Sequence, residues 1–200
     1  MTNTEKQGID VSFWQGKINW AAVARHGIDF AIIKASEGAE MKDPRFSENW
    51  SGCKTNRISC GAYHFFLPAY DFELQSDLLV DQLQSVSFDP ETDIPPAIDC
   101  EEMQGLSPTT YVSALKALMK RLEEKLKCKP MIYVSPSFWQ GLRSPKMDGH
   151  PLWIANYEVD SPKIPSPWKS YRFWQYSDNG RIDGIDCAVD LDCGHLEPIA

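Results

Sequence analysis

The sequence predicts an α/β protein, a single barrel of eight strands with an incomplete ring of helices. Three observations lead there. Apolar, β-branched and aromatic runs bounded by turn residues recur eight times. Helical periodicity falls between the earlier runs, while the last three runs are joined by segments rich in Pro, Trp, Asp and Gly. Strands that alternate with helices pair in parallel, and eight of them suffice to close a barrel.

The first strand is GIDVSFW (8–14), with Asp10 and Trp14 toward its end, and INWAAVARHG (18–27) follows as a helix. IDFAIIKAS (28–36) is the second strand, ending in the polar residues Lys34 to Glu37, and DPRFSENWSGCKTN (43–56) is the next helix. ISCGAYHFF (58–66) carries Tyr63 and His64 and leads into a helical stretch over 70–86. PPAIDCE (95–101) ends on Asp99 and Glu101. The strongest helix spans 108–127, where Tyr111, Leu115, Leu118, Leu122 and Leu126 form one stripe. Ser107 supplies its N-cap and Pro108 its first residue. PMIYVS (130–135), PLWIANY (151–157), YRFWQYS (171–177) and AVDL (188–191) complete the strands.

Two hundred residues with 42% hydrophobic content bury one sizeable core, and no linker, repeat or low-complexity tract divides residues 1–200. A net charge of −8 argues against nucleic acid as the main partner. No apolar run reaches the length of a membrane span. MTNTEKQGID passes from polar residues straight into the first strand with no signal peptide. The expected location is therefore synthesis in the cytoplasm with action elsewhere after lysis or delivery, or secretion under a signal that this chain does not carry. The six cysteines lack zinc-like spacing and are expected as reduced thiols, with Cys187 and Cys193 the one pair placed for a local disulfide. Four scattered histidines offer no metal site, and no cofactor is implied.

Function in such a barrel collects at the C-terminal ends of the strands. A strand turns alternate side chains to one face, so Asp99 and Glu101 point together. Like charges that close raise at least one proton affinity, which keeps a proton ready for a leaving group, as a glycosidase requires. A bare Asp-x-Glu elsewhere is most often a pair of solvated loop acids, so other residues must carry the inference. Tyr63, Tyr133, Trp153, Tyr157 and Trp174 lie near strand ends, where they either line a sugar cleft or pack the barrel. Lys34 serves either a cleft acid or substrate carboxylate, or a structural ion pair, and Gln175 is placed to bond sugar or a catalytic acid.

GIDVSFWQGKINW, GIDFAIIKASEG, DPRFSENW, ISCGAYHFF, PAIDCE, PMIYVS, PLWIANY and FWQYSDNGRIDGIDCAVDLD together resemble glycoside hydrolase family 25, the Chalaropsis-type lysozymes or N-acetylmuramidases. The resemblance covers nearly the whole chain. It implies a flattened eight-stranded barrel and cleavage of the β-1,4 bond from N-acetylmuramic acid to N-acetylglucosamine in peptidoglycan. It also implies four catalytic acids, Asp10, Asp99, Glu101 and Asp190, with Glu101 the general acid. Asp99 then orients the acetamido group or stabilises positive charge at the anomeric carbon. Either the acetamide oxygen attacks that carbon, or Asp10 or Asp190 helps a water to do so. The family usually follows its last acid with Leu-Asn, whereas VDLD places Asp192 there, on the same strand face as Asp190.

A chitinase of the Asp-x-Asp-x-Glu kind is disfavoured because Ala97 stands two residues before Asp99. A glycan-binding protein that has lost catalysis is the other alternative, and the retention of Asp99 and Glu101 weighs against it. The expected partners are peptidoglycan glycan strands, acted on by a monomer. A cognate inhibitor or immunity protein is expected only if the chain is a delivered toxin.

Overall fold

A computed structural model of the chain describes residues 5–197; residues 1–4, which head the segment read as lacking a signal peptide, and 198–200 lie outside the described residues. The strands are β1 (Lys6–Val11), β2 (Phe30–Glu37), β3 (Met41–Lys42), β4 (Ser59–Phe65), β5 (Ala97–Asp99), β6 (Met131–Val134), β7 (Leu152–Ala155), β8 (Phe173–Gly180) and β9 (Val189–Gly194). They form one sheet in the order β1-β9-β8-β7-β6-β5-β4-β2-β3, closed by β1 pairing with β2. The barrel thus has eight strands, with β3 a short hairpin partner of β2 outside the closure.

All eight expected runs contribute a barrel strand, but the pairing is not parallel throughout. β9 runs antiparallel to both β8 and β1. The reason is covalent: a parallel crossover needs a dozen or more residues, and only 181–188 separate β8 from β9. β1 also stops at Val11 rather than continuing to Trp14. Ser12 and Gln15 form a reciprocal capping box that turns Phe13–Gln15 into one 3₁₀ turn.

The helices are α1 (Trp20–Arg25), α2 (Phe46–Thr55), α3 (Phe72–Ser85), α4 (Pro108–Leu126) and α5 (Pro136–Gly141). α4 buries the expected stripe, with Tyr111, Leu115, Leu118, Met119 and Leu122 all sealed against the barrel. Truncating one such leucine to alanine costs about 2–5 kcal/mol. α5 was not anticipated, although Ser135 and Pro136 repeat the cap-and-proline start of α4. No described helix joins β7 to β8 or β8 to β9, so the helical ring is incomplete on that side.

Two apolar clusters follow from strand alternation. Outward residues such as Ile33, Ile98 and Ile132 meet the helices, while Phe30, Ile32, Met131, Tyr133, Trp153 and Phe173 fill the barrel interior. Phe30 and Phe173 stack with centroids 4.5 Å apart. Gly8 opposes them because a Cβ there would lie 2.2 Å from the Phe30 ring. The plugged lower barrel leaves the upper end for polar side chains.

Candidate active site

Seven barrel strands place their C-terminal ends at one mouth, and the reversed β9 places its beginning there. Asp10 of β1 therefore sits in register with Asp190 of β9. Inward alternation adds Lys34 (β2), Tyr63 (β4), Asp99 (β5), Tyr133 (β6) and Gln175 (β8), with Asp192 of β9 one step deeper, opposite Gly8 and Gln175.

The β2 wall depends on a bulge. Lys34 pairs with Tyr63 and Ser36 with His64, so Ala35 is the extra residue. Ser36 consequently turns outward with His64, to which its Oγ bonds at 2.8 Å. Lys34 and Glu37 then share the mouth, with Lys34 Nζ donating to Glu37 Oε2 at 2.6 Å. The second ring nitrogen of His64 meets Gln75 Oε1 at 3.2 Å, and burial holds this imidazole down to about 4. It is a neutral strut behind the site.

β5 ends at Asp99, yet Cys100 N–H still donates to Tyr133 C=O at 2.9 Å. The extended course therefore persists far enough to send Cys100 into the outer core and carry Glu101 toward the mouth. Asp99 is 6% exposed, whereas Glu101 is exposed. Burial raises the proton affinity of Asp99 far above the carboxylate range, and the Glu101 charge adds to it, against the opposing pull of Lys34. Partial enclosure raises Glu101 too, while the Tyr133 hydroxyl and Lys34 favour its ionised form. Asp99 Oδ1 is buried with no donor among the described residues. Glu102 is exposed and accepts Gln104 N–H in its own loop.

Gln175 links the other half of the site. Its Nε2 donates to Asp10 Oδ2 at 2.6 Å, and its Oε1 accepts from Tyr133 at 2.8 Å and also from Tyr157. Trp153 Nε1 donates to Asp192 Oδ1 at 2.7 Å. Burial, then the charges of Asp192 and Asp190, push Asp10 well up. Burial also pushes Asp190 up to about 6, where it feels both Asp178 and Glu101. Tyr63 feels Asp10, Asp99 and Asp190 together, which places all three around it.

The expected site residues therefore separate into groups. Asp10, Asp99, Glu101, Asp190, Lys34, Tyr63, Tyr133, Tyr157 and Gln175 converge on the mouth. Trp153 is sealed inside the barrel as a support for Asp192. Trp174 is placed outside: next to the inward Gln175, it points away, donates to Asn156 C=O at 2.8 Å and packs between Tyr171 and Tyr176. Glu37, at the end of β2, and Trp14, in the turn after β1, were placed near the mouth without an assigned role, and Asp43 was missed. Glu37 reaches the mouth only through the bulge. Asp43 accepts Phe13 N–H at 2.9 Å and so fixes the turn after β1. That turn carries Trp14, whose indole is 75% exposed. All six cysteines are free thiols, Cys187 and Cys193 included, and no described group of His, Cys, Asp and Glu is arranged to hold a metal ion.

The sequence profile of Glycosyl hydrolases family 25 matches residues 9–185. Lysozyme M1 of Streptomyces globisporus is 36% identical over 194 residues, covering 92% of this chain and 66% of that protein. The N,O-diacetylmuramidase of Chalaropsis sp is 31% identical over 208 residues, covering 97% and 98%. Among solved structures, the bacterial lysozyme from Streptomyces coelicolor superposes with a TM-score of 0.84 at 33% identity, covering 94% of this chain and 91% of its own.

Proposed function

The chain belongs to glycosyl hydrolase family 25, and on that footing we propose that it is a muramidase with Glu101 as general acid and Asp99 as its partner. The bond cleaved is the β-1,4 link from N-acetylmuramic acid to N-acetylglucosamine in peptidoglycan. The observation that supports this reading is the Asp99–Glu101 pair at the barrel mouth, one member buried and one reaching solvent.

Burial and mutual repulsion, against a single opposing cation, raise the affinity of the pair for one shared proton. Glu101, the exposed member, delivers it to the departing O4 of glucosamine as the glycosidic bond breaks. Asp99 Oδ1, which no described protein group satisfies, accepts the acetamido N–H of the muramyl residue. The acetamide oxygen then closes on the anomeric carbon, and water opens that cyclic intermediate while Glu101 takes back a proton. Configuration is retained without an enzyme nucleophile. Asp10, whose Oδ2 is held by Gln175 Nε2 at 2.6 Å, faces the same mouth and steers the water that opens the cyclic intermediate; direct water attack activated by Asp10 is the weaker reading, because that oxygen is already occupied. The exposed indole of Trp14, four residues beyond Asp10, offers a flat face to a sugar ring of the strand.

The names of the lysozyme and diacetylmuramidase relatives support the substrate class. Analysis of new reducing ends in a peptidoglycan digest tests it. New muramic acid termini are expected. New glucosamine termini would identify a glucosaminidase, and retained glycan binding with no new ends would favour a lectin.

A further inference from the structure

The deepest acid of the site has no role in the chemistry above. Asp192 is 0% exposed and faces the barrel interior. Trp153 donates to its Oδ1, while its Oδ2 is buried and receives no N–H or O–H from any described residue. The carboxyl within hydrogen-bonding reach is that of Asp10, the diagonal same-face neighbour of Asp192 across the β1–β9 register and itself tied on its other side by Gln175, which pairs with Asp192 on β8. Two buried carboxylates cannot meet in this way with both ionised, since each is an acceptor and the repulsion at contact outweighs the cost of holding a proton.

We propose that Asp10 and Asp192 share one proton, and that Asp192 is thereby a positioning residue that fixes Asp10 at the active-site mouth. The proposal deepens the muramidase reading in its kinetic part only. Burial and the neighbouring Asp190 charge favour retention of the proton, against the Gln175 and Trp153 N–H donors, which favour the ionised carboxylates. Asp190 lies beside Asp10 on β9; Tyr63, Tyr133 and Tyr157 face it from β4, β6 and the end of β7; Tyr176 and Cys193 feel Asp192 from behind. Lys34 acts on Asp99 and Glu101 instead. Burial pushes Asp192 up to about 8, with Asp190 adding to it, in keeping with this geometry. The device is conditional: once the proton leaves, the pair repels and Asp10 loses its anchor.

Asp192→Asn and Asp192→Leu test it. Asn donates an N–H to Asp10 at every pH, whereas Leu donates nothing. A proton held by the folded protein and released by the unfolded chain makes stability fall as pH rises from about 4 toward 8. The melting temperature of the wild type should therefore decline more steeply over that range than that of Asp192→Asn. Parallel slopes would overturn the shared proton. Infrared spectra at pH 7 supply a second reading: the protonated-carboxyl carbonyl absorption, to which the Asp99–Glu101 pair also contributes, should lose one carboxyl's share in Asp192→Asn. An unchanged band would likewise overturn it. With peptidoglycan, Asp192→Leu should lose roughly tenfold or more in kcat at little change in KM, and Asn should restore most of it. Equal loss in both would overturn the positioning role. The melting and infrared measurements need no substrate, so failure of the muramidase reading leaves them standing.

Discussion

Gln175→Leu removes the one side chain that joins the two halves of the site while nearly conserving its volume. Gln175 is 2% exposed and makes three side-chain hydrogen bonds, to Asp10, Tyr133 and Tyr157. Leucine leaves little cavity, so the penalty comes from orphaned polar groups rather than lost packing. Tyr133 is buried and loses its Gln175 acceptor, keeping only the Glu101 carboxylate, and Asp10 loses its Gln175 donor. Each such group costs about 1–3 kcal/mol, while the half-buried Tyr157 can turn to water at little cost. The expected destabilisation is about 3 kcal/mol, or roughly 6–12 °C in melting temperature for a domain of this size. Thermal unfolding with kcat on purified peptidoglycan is the assay. Trp174→Phe, one residue away on the outer face, loses a single hydrogen bond to Asn156 and should cost about 1 kcal/mol with kcat intact. If Gln175→Leu melts within about 2 °C of wild type and keeps its kcat, the reasoning fails; the same holds if Trp174→Phe is the more damaging change.

Glu102→Gln should leave turbidity clearance within about twofold of wild type, because Glu102 bonds only within its exposed loop. Activity should trace a bell against pH with its optimum on the acid side of neutrality, the alkaline limb reporting loss of the proton held at Asp99 and Glu101. Asp190→Asn should move that limb to lower pH, since it removes a negative charge that favours the Glu101 proton; a limb unmoved in initial-rate profiles would separate Asp190 from the acid. Trp14→Ala should raise KM for soluble glycan strands roughly three- to tenfold at nearly constant kcat, and an unchanged KM would remove the indole from the binding surface.

The barrel was legible because each of its strands is an apolar run closed by turn residues, and because a spacing of two must put Asp190 and Asp192 on one face. The same rule, applied to YRFWQYS, shows why Trp174 and Gln175 cannot both face the cleft: they are neighbours on one strand, and the polar one points in. Glu37 was placed at the end of its strand but not in the site, because nothing in FAIIKASEG marks Ala35 as a bulge. The bulge arises where β2 pairs with β4, a tertiary event without a local signature. The reversal of β9 was readable from the brevity of 181–188, but the alternation of strands and helices upstream suggested parallel pairing throughout. Helix α5, six residues long, is too short to display periodicity, leaving Ser135-Pro136 as its sole cue. The Asp99–Glu101 pair was readable as chemistry, whereas the Gln175 hub that braces the opposite wall joins residues far apart in sequence.

Glu101→Gln tests the proposed chemistry most directly. The amide keeps the shape of the side chain and has no proton to deliver to the leaving oxygen. Initial rates of reducing-end release from purified peptidoglycan, measured beside melting temperature and glycan binding, should show kcat reduced by roughly two to four orders of magnitude in a protein that still folds and binds. A folded variant that releases ends at close to the wild-type rate would contradict the assignment of Glu101 as the general acid.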